Sequence, residues 1–182
     1  THVIKMVRES GNSSAASEIE LHSKASKVEG VATLHHGGTI SARTHFGICE
    51  LCTSRLDHRI ESETNVHDRD FWRRSRQLVH GVADIHRAGV IHLAIQVEGQ
   101  TSSATHNLTL SRLLPSQPSN IALTENGHVR IANFHRACAA AETDAHTPFS
   151  HPGDRLEYRA PEDAACSFSF GSDIFSVAVT LF

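Results

Sequence analysis

The sequence has no excess of basic residues and no long apolar segment. Lys and Arg number 17 against 20 Asp and Glu, which gives a net charge of -3, so no basic face argues for a nucleic-acid partner. No apolar run approaches the roughly 18 residues of a membrane span, and no signal-peptide pattern opens the chain. We therefore expect an intracellular protein, cytoplasmic or nuclear, that binds neither nucleic acid nor a membrane.

Cysteine is scarce as well, with only four residues, and these show no disulfide framework, as expected in a reducing compartment. Cys49 and Cys52 have the CxxC spacing of a zinc ligand pair, but a zinc site needs two further ligands. Although the chain has 15 histidines, no second CxxC and no HxxxH lies at zinc-finger spacing. We therefore do not expect a zinc site.

Two segments have a clear local pattern. From 71 to 87, apolar residues recur at helical spacing and Gly89 follows as a C-cap, which predicts an amphipathic helix. Farther on, two short apolar runs flank Asn126-Gly127, a pair that supplies the positive φ angles of a tight β-hairpin. The helical positions are Phe71, Leu78, Val82 and Ile85, and the hairpin runs are Ile121–Leu123 and Val129–Ile131.

The letters of these segments point to a family. QLVHGVADIHRAGVIHLAIQ (77 to 96) and PSNIALTENGHVRIANFHRA (118 to 137) resemble the eukaryotic protein-kinase pattern in which HRDxKPxN precedes a hairpin ending in DFG. Other landmarks occur in the family's order, which matters because short matches arise by chance. They resemble the lysine strand (Val3 to Lys5), the C-helix (Glu18 to Leu21), the hinge (Cys49 to Cys52), the end of the activation segment (Tyr158 to Glu162) and the start of the F-helix (Gly171 to Ser176).

The resemblance implies an α+β, protein-kinase-like two-lobed fold that is incomplete. Residues 1–52 would form a small β-rich lobe that lacks its first strands and carries the C-helix and the hinge. Residues 53–182 would form a helical large lobe that ends inside the F-helix. Within it, Leu56 to Ile60 is similar to the cyclin-dependent-kinase-like branch of the serine/threonine kinases.

Residues 97–117 form an insertion that interrupts the catalytic loop between Gln96 and Pro118, where the family has adjacent residues. The segment is rich in Ser, Thr and Leu and has no period of 2.0 or 3.6, so we expect a loop. Its first residue is Val, which is encoded GTN, and its last is Gln, which can be encoded CAG. An intron that is read through in frame would begin and end with such codons. A retained intron is therefore one hypothesis for its origin.

The resemblance places the catalytic-loop positions at His92, Leu93, Ala94, Gln96 and Asn120. The aspartate that accepts the substrate hydroxyl proton is replaced by Ala94, its neighbouring arginine by Leu93, and the loop lysine by Gln96. A methyl group cannot accept a proton, and a general base contributes on the order of 100- to 10,000-fold in rate. We therefore predict that no catalytic residue set is intact.

The cofactors that the resemblance implies are ATP and Mg²⁺. Lys5 and Glu18 would form the ion pair that anchors the nucleotide, and Glu50 and Cys52 would lie at the adenine. The metal positions are weak, because the aspartate of DFG is Asn133 and only Asn120 remains beside it. A hard divalent cation favours carboxylate oxygen over a neutral amide.

Three classes of function stay open. The first is a catalytically inactive pseudokinase that presents a kinase-like surface to a protein partner. The second is an active serine/threonine kinase that uses another residue as base, and the third is a non-functional kinase relic. We favour inactivity because the family's structural positions survive better than its chemical ones. His92 and Phe134 match packing positions of the family, and Asp173 matches the F-helix aspartate that holds the catalytic loop.

Overall fold

The computed structural model describes residues 2–8, 15–56, 68–96, 120–145, 158–165 and 167–181. The insertion at 97–117 and the segment 57–60 lie outside these residues. The loop and retained-intron hypotheses for the insertion therefore stay predictions, as do the branch assignment and the domain boundary at Cys52.

The N-terminal part of the chain is a three-stranded antiparallel sheet with one helix packed on it. The strand order is β1-β3-β2, and the helix α1 contacts β2 and β3. The central strand β3 pairs with β1 so that Lys5 lies opposite Gly47. These elements are β1 (His2–Arg8), α1 (Ala15–Ala25), β2 (Leu34–Ser41) and β3 (Thr44–Glu50).

In the described part of the remaining chain there are two small sheets and two long helices. One sheet has the order β4-β6-β7 and the other pairs β5 with β8, all antiparallel. None of the helices in the described part of the chain has the length and apolarity that a membrane crossing needs. The elements are β4 (Ser54–Arg55), α2 (Asp68–Arg87), β5 (Val90–Ile91), β6 (Ile121–Leu123), β7 (Val129–Ile131), β8 (Cys138–Ala139) and α3 (Phe170–Leu181), with short 3-10 helices at Ala140–Ala145 and Pro161–Ala165.

The predicted helix is α2, and its buried face is shorter than the sequence suggested. Leu78, Val82 and Ile85 are buried in the main core beside β6 and β7. Phe71 is 38% exposed, so its assignment to the buried face was wrong. It lies in the first turn, where its ring contacts Trp72 edge-on at 5.4 Å between centroids. The helix ends as predicted, because Gly89 adopts a φ of 72°.

The predicted hairpin is present, with Ile121 opposite Ile131, but its turn differs from the expected one. Among the residues of the turn only Gly127 has a positive φ, of 72°, and Asn126 does not. Gly127 N donates to Thr124 O at 2.8 Å, and Thr124 N donates to His128 O at 2.9 Å. A three-residue connection that ends in a left-handed glycine needs one positive φ rather than two.

Gly30 and Gly81 join the connection after α1 to helix α2. A Cβ on Gly30 would lie 2.2 Å from the Cα of Gly81, so the two backbones are in direct contact. Ile131 N donates to Gly30 O at 2.8 Å, and Ala32 N donates to Ile131 O at 2.9 Å. The connection is thus held against α2 on one side and β7 on the other, and a side chain at either glycine would separate them.

Asp173, in the first turn of α3, holds the loop that follows β5. Its carboxylate is fully buried and accepts hydrogen bonds from His92 N and Leu93 N, each at 2.8 Å. His86 Nε2 lies 2.9 Å from the same carboxylate. Leu93 has a φ of 57°, a left-handed conformation that costs an ordinary residue roughly 1–2 kcal/mol. The hydrogen bonds to Asp173 stabilise the loop in this conformation.

Replacement of Asp173 by Ala should destabilise the whole domain. The substitution leaves the backbone N–H groups of His92 and Leu93 buried without an acceptor, at about 1–3 kcal/mol each. We expect the free energy of unfolding in urea to fall by about 3 kcal/mol or more. As a control, Asp70→Ala removes only a half-exposed pair with Arg73 and should change it by less than about 1 kcal/mol. Equal effects of the two substitutions would contradict the role of Asp173.

Candidate functional site

The loop from His92 to Gln96 brings the predicted catalytic positions together with Asn120. Asn120 lies just before β6, and its side-chain Nδ2 donates to the backbone oxygen of Ala94 at 2.6 Å. Ala94 is 7% exposed, and both it and Asn120 are buried. The loop geometry is therefore fixed by hydrogen bonds at both ends, from Asp173 on one side and from Asn120 on the other.

Lys5 on β1 and Glu18 on α1 form the predicted ion pair. Lys5 Nζ donates to Glu18 Oε1. The side chain of Glu18 is 7% exposed, whereas that of Lys5 is 35% exposed. A pair that is buried on one side is screened less by salt than a surface pair. The pair thus orients the lysine, whose side chain is only partly buried.

Asn133 connects this ion pair to the catalytic loop. Its Oδ1 accepts a hydrogen bond from Lys5 Nζ at 2.7 Å, and its Nδ2 donates to Asn120 Oδ1 at 2.6 Å. Asn133 has a φ of 69°, which asparagine tolerates better than most residues. We call the series Lys5, Asn133, Asn120 and the Ala94 carbonyl the amide chain.

In the amide chain, the positions of the oxygen and the NH₂ group in both asparagine side chains are determined by their partners. Lys5 has only donors, so the atom of Asn133 that faces it must be the oxygen. The Ala94 carbonyl only accepts, so the atom of Asn120 that faces it must be the NH₂ group. Since both ends agree, the middle contact is Nδ2 of Asn133 donating to Oδ1 of Asn120.

Magnesium, which the kinase resemblance implies, does not fit this donor set. The two predicted metal positions, Asn120 and Asn133, are neutral, and the oxygen of each already accepts a hydrogen bond. Mg²⁺ in proteins is usually held by one or two carboxylates together with substrate phosphates. Glu18 is paired with Lys5, and no group of three or more His, Cys, Asp or Glu side chains that could hold a metal ion occurs in the described ranges.

A column of three rings connects α1 to the catalytic loop. Phe134 lies between His22, whose ring is stacked on it at 4.7 Å, and His92, which meets it edge-on at 4.8 Å. His92 and Phe134 were predicted packing positions, but His22 was missed. Its position four residues after Glu18, on the same face of a helix, is the signal that would have found it. Burial lowers the pKa of His22 and lowers that of His92 to about 4.

The predicted hinge lies at the end of β3. Glu50 N donates to Thr33 O at 2.8 Å, and Glu50 Oε2 accepts from Arg130 Nε at 3.1 Å. The strand ends at Glu50, so Cys49 lies on β3 and Cys52 lies beyond its end. Burial raises the pKa of the Cys52 thiol to about 11, so it is protonated at neutral pH. Glu50 thus contributes its backbone to the sheet and its side chain to an ion pair.

The last two kinase landmarks contact each other. Ser176 Oγ, on α3, donates to Tyr158 O at 2.7 Å, which joins the end of the activation-segment equivalent to the helix. Ser172 Oγ donates to Asp163 Oδ1 at 2.6 Å, and burial raises the pKa of the Asp163 carboxyl. These contacts place residues 158–163 beside the same helix that anchors the catalytic loop.

Comparison with known proteins agrees with this arrangement. The chain is 25% identical over 142 residues to the hormonally up-regulated neu tumor-associated kinase of Homo sapiens and to its Xenopus tropicalis homolog. The match covers 76% of this chain but only 17% of either relative. No family model matches the chain.

A solved structure shows the fold. The Cydia pomonella granulovirus kinase PK-1 superposes with a TM-score of 0.70 over 99% of this chain and 57% of its own, at 12% identity. The chain therefore has a protein-kinase-like α+β fold, as predicted, and spans 57% of the length of that kinase.

The stability of this domain should fall as the pH is lowered from neutrality. His92 has a pKa of about 4 when folded against an ordinary value of 6.5, because it is buried. Between these values the unfolded chain binds a proton that the folded chain does not, so stability is lost as the pH falls. Each such proton contributes a slope of about 1.4 kcal/mol per pH unit.

Urea unfolding between pH 7 and pH 4.5 measures this slope. His92→Phe keeps an aromatic ring against Phe134 but removes the titrating group, so its slope should be smaller by about one proton. His22 and His135, whose pKa values are also lowered by burial, would account for the slope that remains. An unchanged slope in His92→Phe would show that His92 binds its proton equally in the folded and the unfolded chain, so that folding does not lower its pKa.

Proposed function

We propose that this kinase-like domain is a pseudokinase that binds an adenine nucleotide without transferring its phosphoryl group. The observation that carries the proposal is Ala94, which occupies the position of the catalytic base in a loop whose supporting hydrogen bonds are intact. The scaffold is present and the group that performs the chemistry is missing from it. Such a domain acts by presenting a surface to a protein partner rather than by turnover.

No nearby carboxylate among the described residues is a candidate replacement for the missing base. Asp84 lies on α2, before the loop, and accepts a hydrogen bond from Arg87. Asp173 is fully buried, and both oxygens of its carboxylate already accept hydrogen bonds from the loop backbone. The DFG position carries Asn133, whose amide cannot act as a base. Phosphoryl transfer depends mostly on positioning and electrostatic stabilisation, and both are weakened here.

Two features support nucleotide binding. Lys5 is oriented by Glu18 and by Asn133 and has a third N–H, so a phosphate oxygen can accept a charge-assisted hydrogen bond from it. Near the hinge, the backbone groups of Leu51 and Cys52 form no hydrogen bond with any residue in the described ranges. They are the groups that would meet adenine in the kinase interpretation. ATP is therefore the proposed ligand.

The finer assignments remain part of this proposal. The serine/threonine type and the cyclin-dependent-kinase-like branch rest on the segment 56–60, of which the structure describes only Leu56. The similar proteins are called kinases, and this chain spans 17% of the length of the human one. The proposal is therefore limited to the class, which is an inactive kinase-like domain with a protein partner.

Nucleotide binding should appear as thermal stabilisation that depends on Lys5. A ligand at 100 times its dissociation constant adds about 2.7 kcal/mol, which raises Tm by several degrees in a domain of this size. We expect ATP to raise the Tm of the wild-type chain in a thermal melt. Lys5→Met should abolish the shift, and Lys24→Met, which removes an exposed lysine paired with Glu20, should retain it. An equal shift in both variants would exclude the Lys5 site.

Phosphoryl transfer should be undetectable in the wild-type chain. Kinases turn over at about 1–100 per second. Loss of the base alone should lower this by about 100- to 10,000-fold, and the replacement of the loop arginine, the loop lysine and the metal-binding aspartate should lower it further, below detection. The measurement is radiolabel transfer from ATP to a generic protein substrate and to the chain itself. Transfer that Lys5→Met abolishes would overturn inactivity and would favour the active atypical kinase instead.

A further inference from the structure

We infer that this site binds the nucleotide as a free polyanion, without a divalent cation. The inference rests on the proposed nucleotide site and specifies the form of its ligand. In a kinase, an aspartate at the position of Asn133 repels the phosphates unless a metal ion bridges them. Here the amide removes the negative charge that needs the metal and puts an NH₂ group in place of one of the two carboxylate oxygens that would hold it.

The first argument is the direction of the amide chain. Asn133 must point its oxygen at Lys5, and Asn120 must point its NH₂ group at the Ala94 carbonyl. Rotating Asn133 to free its oxygen would place its NH₂ group against the ammonium of Lys5. Rotating Asn120 would place two carbonyl oxygens 2.6 Å apart at Ala94. Neither amide can be rotated to turn its oxygen toward a metal without placing two donors or two acceptors against each other.

The second argument is the charge around Lys5. Lys5 and Glu18 cancel each other, and the adjacent amides are neutral, so these four side chains carry no net charge. A divalent cation on the second lone pair of Asn133 Oδ1 would lie beside the Lys5 ammonium, with the carboxylate of Glu18 already paired. The electrostatics disfavour the metal more than they disfavour phosphate.

The third argument is the supply of donors. The NH₂ group of Asn133 uses one hydrogen on Asn120 and has a second, and Lys5 uses two of its three hydrogens on Glu18 and Asn133. Each of these two groups thus keeps a hydrogen that a phosphate oxygen can accept. An aspartate at this position would offer acceptors only. The exchange of carboxylate for amide therefore turns a metal position into a direct phosphate donor.

The experiment compares ATP binding in EDTA with ATP binding in excess Mg²⁺, by thermal melt and by titration calorimetry on the whole chain. Each condition is referenced to the same buffer without nucleotide. We expect the dissociation constant in EDTA to be equal to or lower than that in Mg²⁺. Binding that requires Mg²⁺ would overturn the inference but leave the nucleotide site in place. Absence of binding in both conditions would overturn the proposed function and the inference together.

A second variant tests the cause. Asn133→Asp puts a second carboxylate on Lys5, so metal-free ATP should bind at least about tenfold more weakly and Mg²⁺ should restore the affinity. Asn126→Asp makes the same chemical change in the exposed hairpin turn and should behave as the wild type. If Asn133→Asp binds metal-free ATP as tightly as Asn126→Asp does, the amide is not the cause. The wild-type comparison of EDTA with Mg²⁺ stands even if Asn133→Asp does not fold.

Discussion

The buried carboxylate of Asp173 is the interaction on which the site depends. It accepts from two consecutive backbone N–H groups, at His92 and Leu93, and lies against His86. These contacts come from two different parts of the chain, α2 and the loop after β5, and meet on α3. Without that acceptor the loop would have to satisfy two buried donors elsewhere and leave the left-handed conformation at Leu93. The rest of the site, from Ala94 to Asn120, is built outward from this point.

The neutral residues of the site form a coherent arrangement. A loop of this kind with an apolar residue at position 133 would leave Lys5 with one partner and the Oδ1 acceptor of Asn120 unpaired. Instead, Asn133 takes a hydrogen bond from Lys5 and gives one to Asn120, which gives one to Ala94. Buried polar groups that are fully paired stabilise a single conformation, whereas half-paired ones are costly. The substitution at position 133 is thus compatible with an ordered site, and not only with a damaged one.

Local patterns predicted the parts of the fold that depend on neighbouring residues. The spacing of Leu78, Val82 and Ile85 and the glycine at 89 were sufficient for α2 and its end. The order of the motifs, rather than any single one, identified the kinase-like architecture and the role of Asp173. These predictions succeeded because the period and the order of residues are properties of the sequence itself.

The errors all concern what lies opposite a residue in space. Phe71 has the right period but faces Trp72 instead of the core, and Asn126 belongs to a turn whose type only the pairing of Thr124 with His128 determines. His22 was missed because its role comes from a ring 112 positions away, Phe134. The direction of Asn133 likewise depends on Lys5, at the other end of the chain. Periodicity can place His22 on the same helix face as Glu18, but it does not identify the distant partner of a residue.

The contact of Gly30 with Gly81 has a mechanical consequence. It lies five residues beyond the end of α1, where the backbone is also hydrogen-bonded to Ile131 on both sides. With no side chain between the two backbones, no change of rotamer can absorb a displacement at this point. If α1 moved as a rigid body about this contact, Glu18 would move farther than Ala25, because Ala25 is nearer to the contact along the chain. Any swing of α1 would change the distance from Glu18 to Lys5 far more than it would disturb the join with α2.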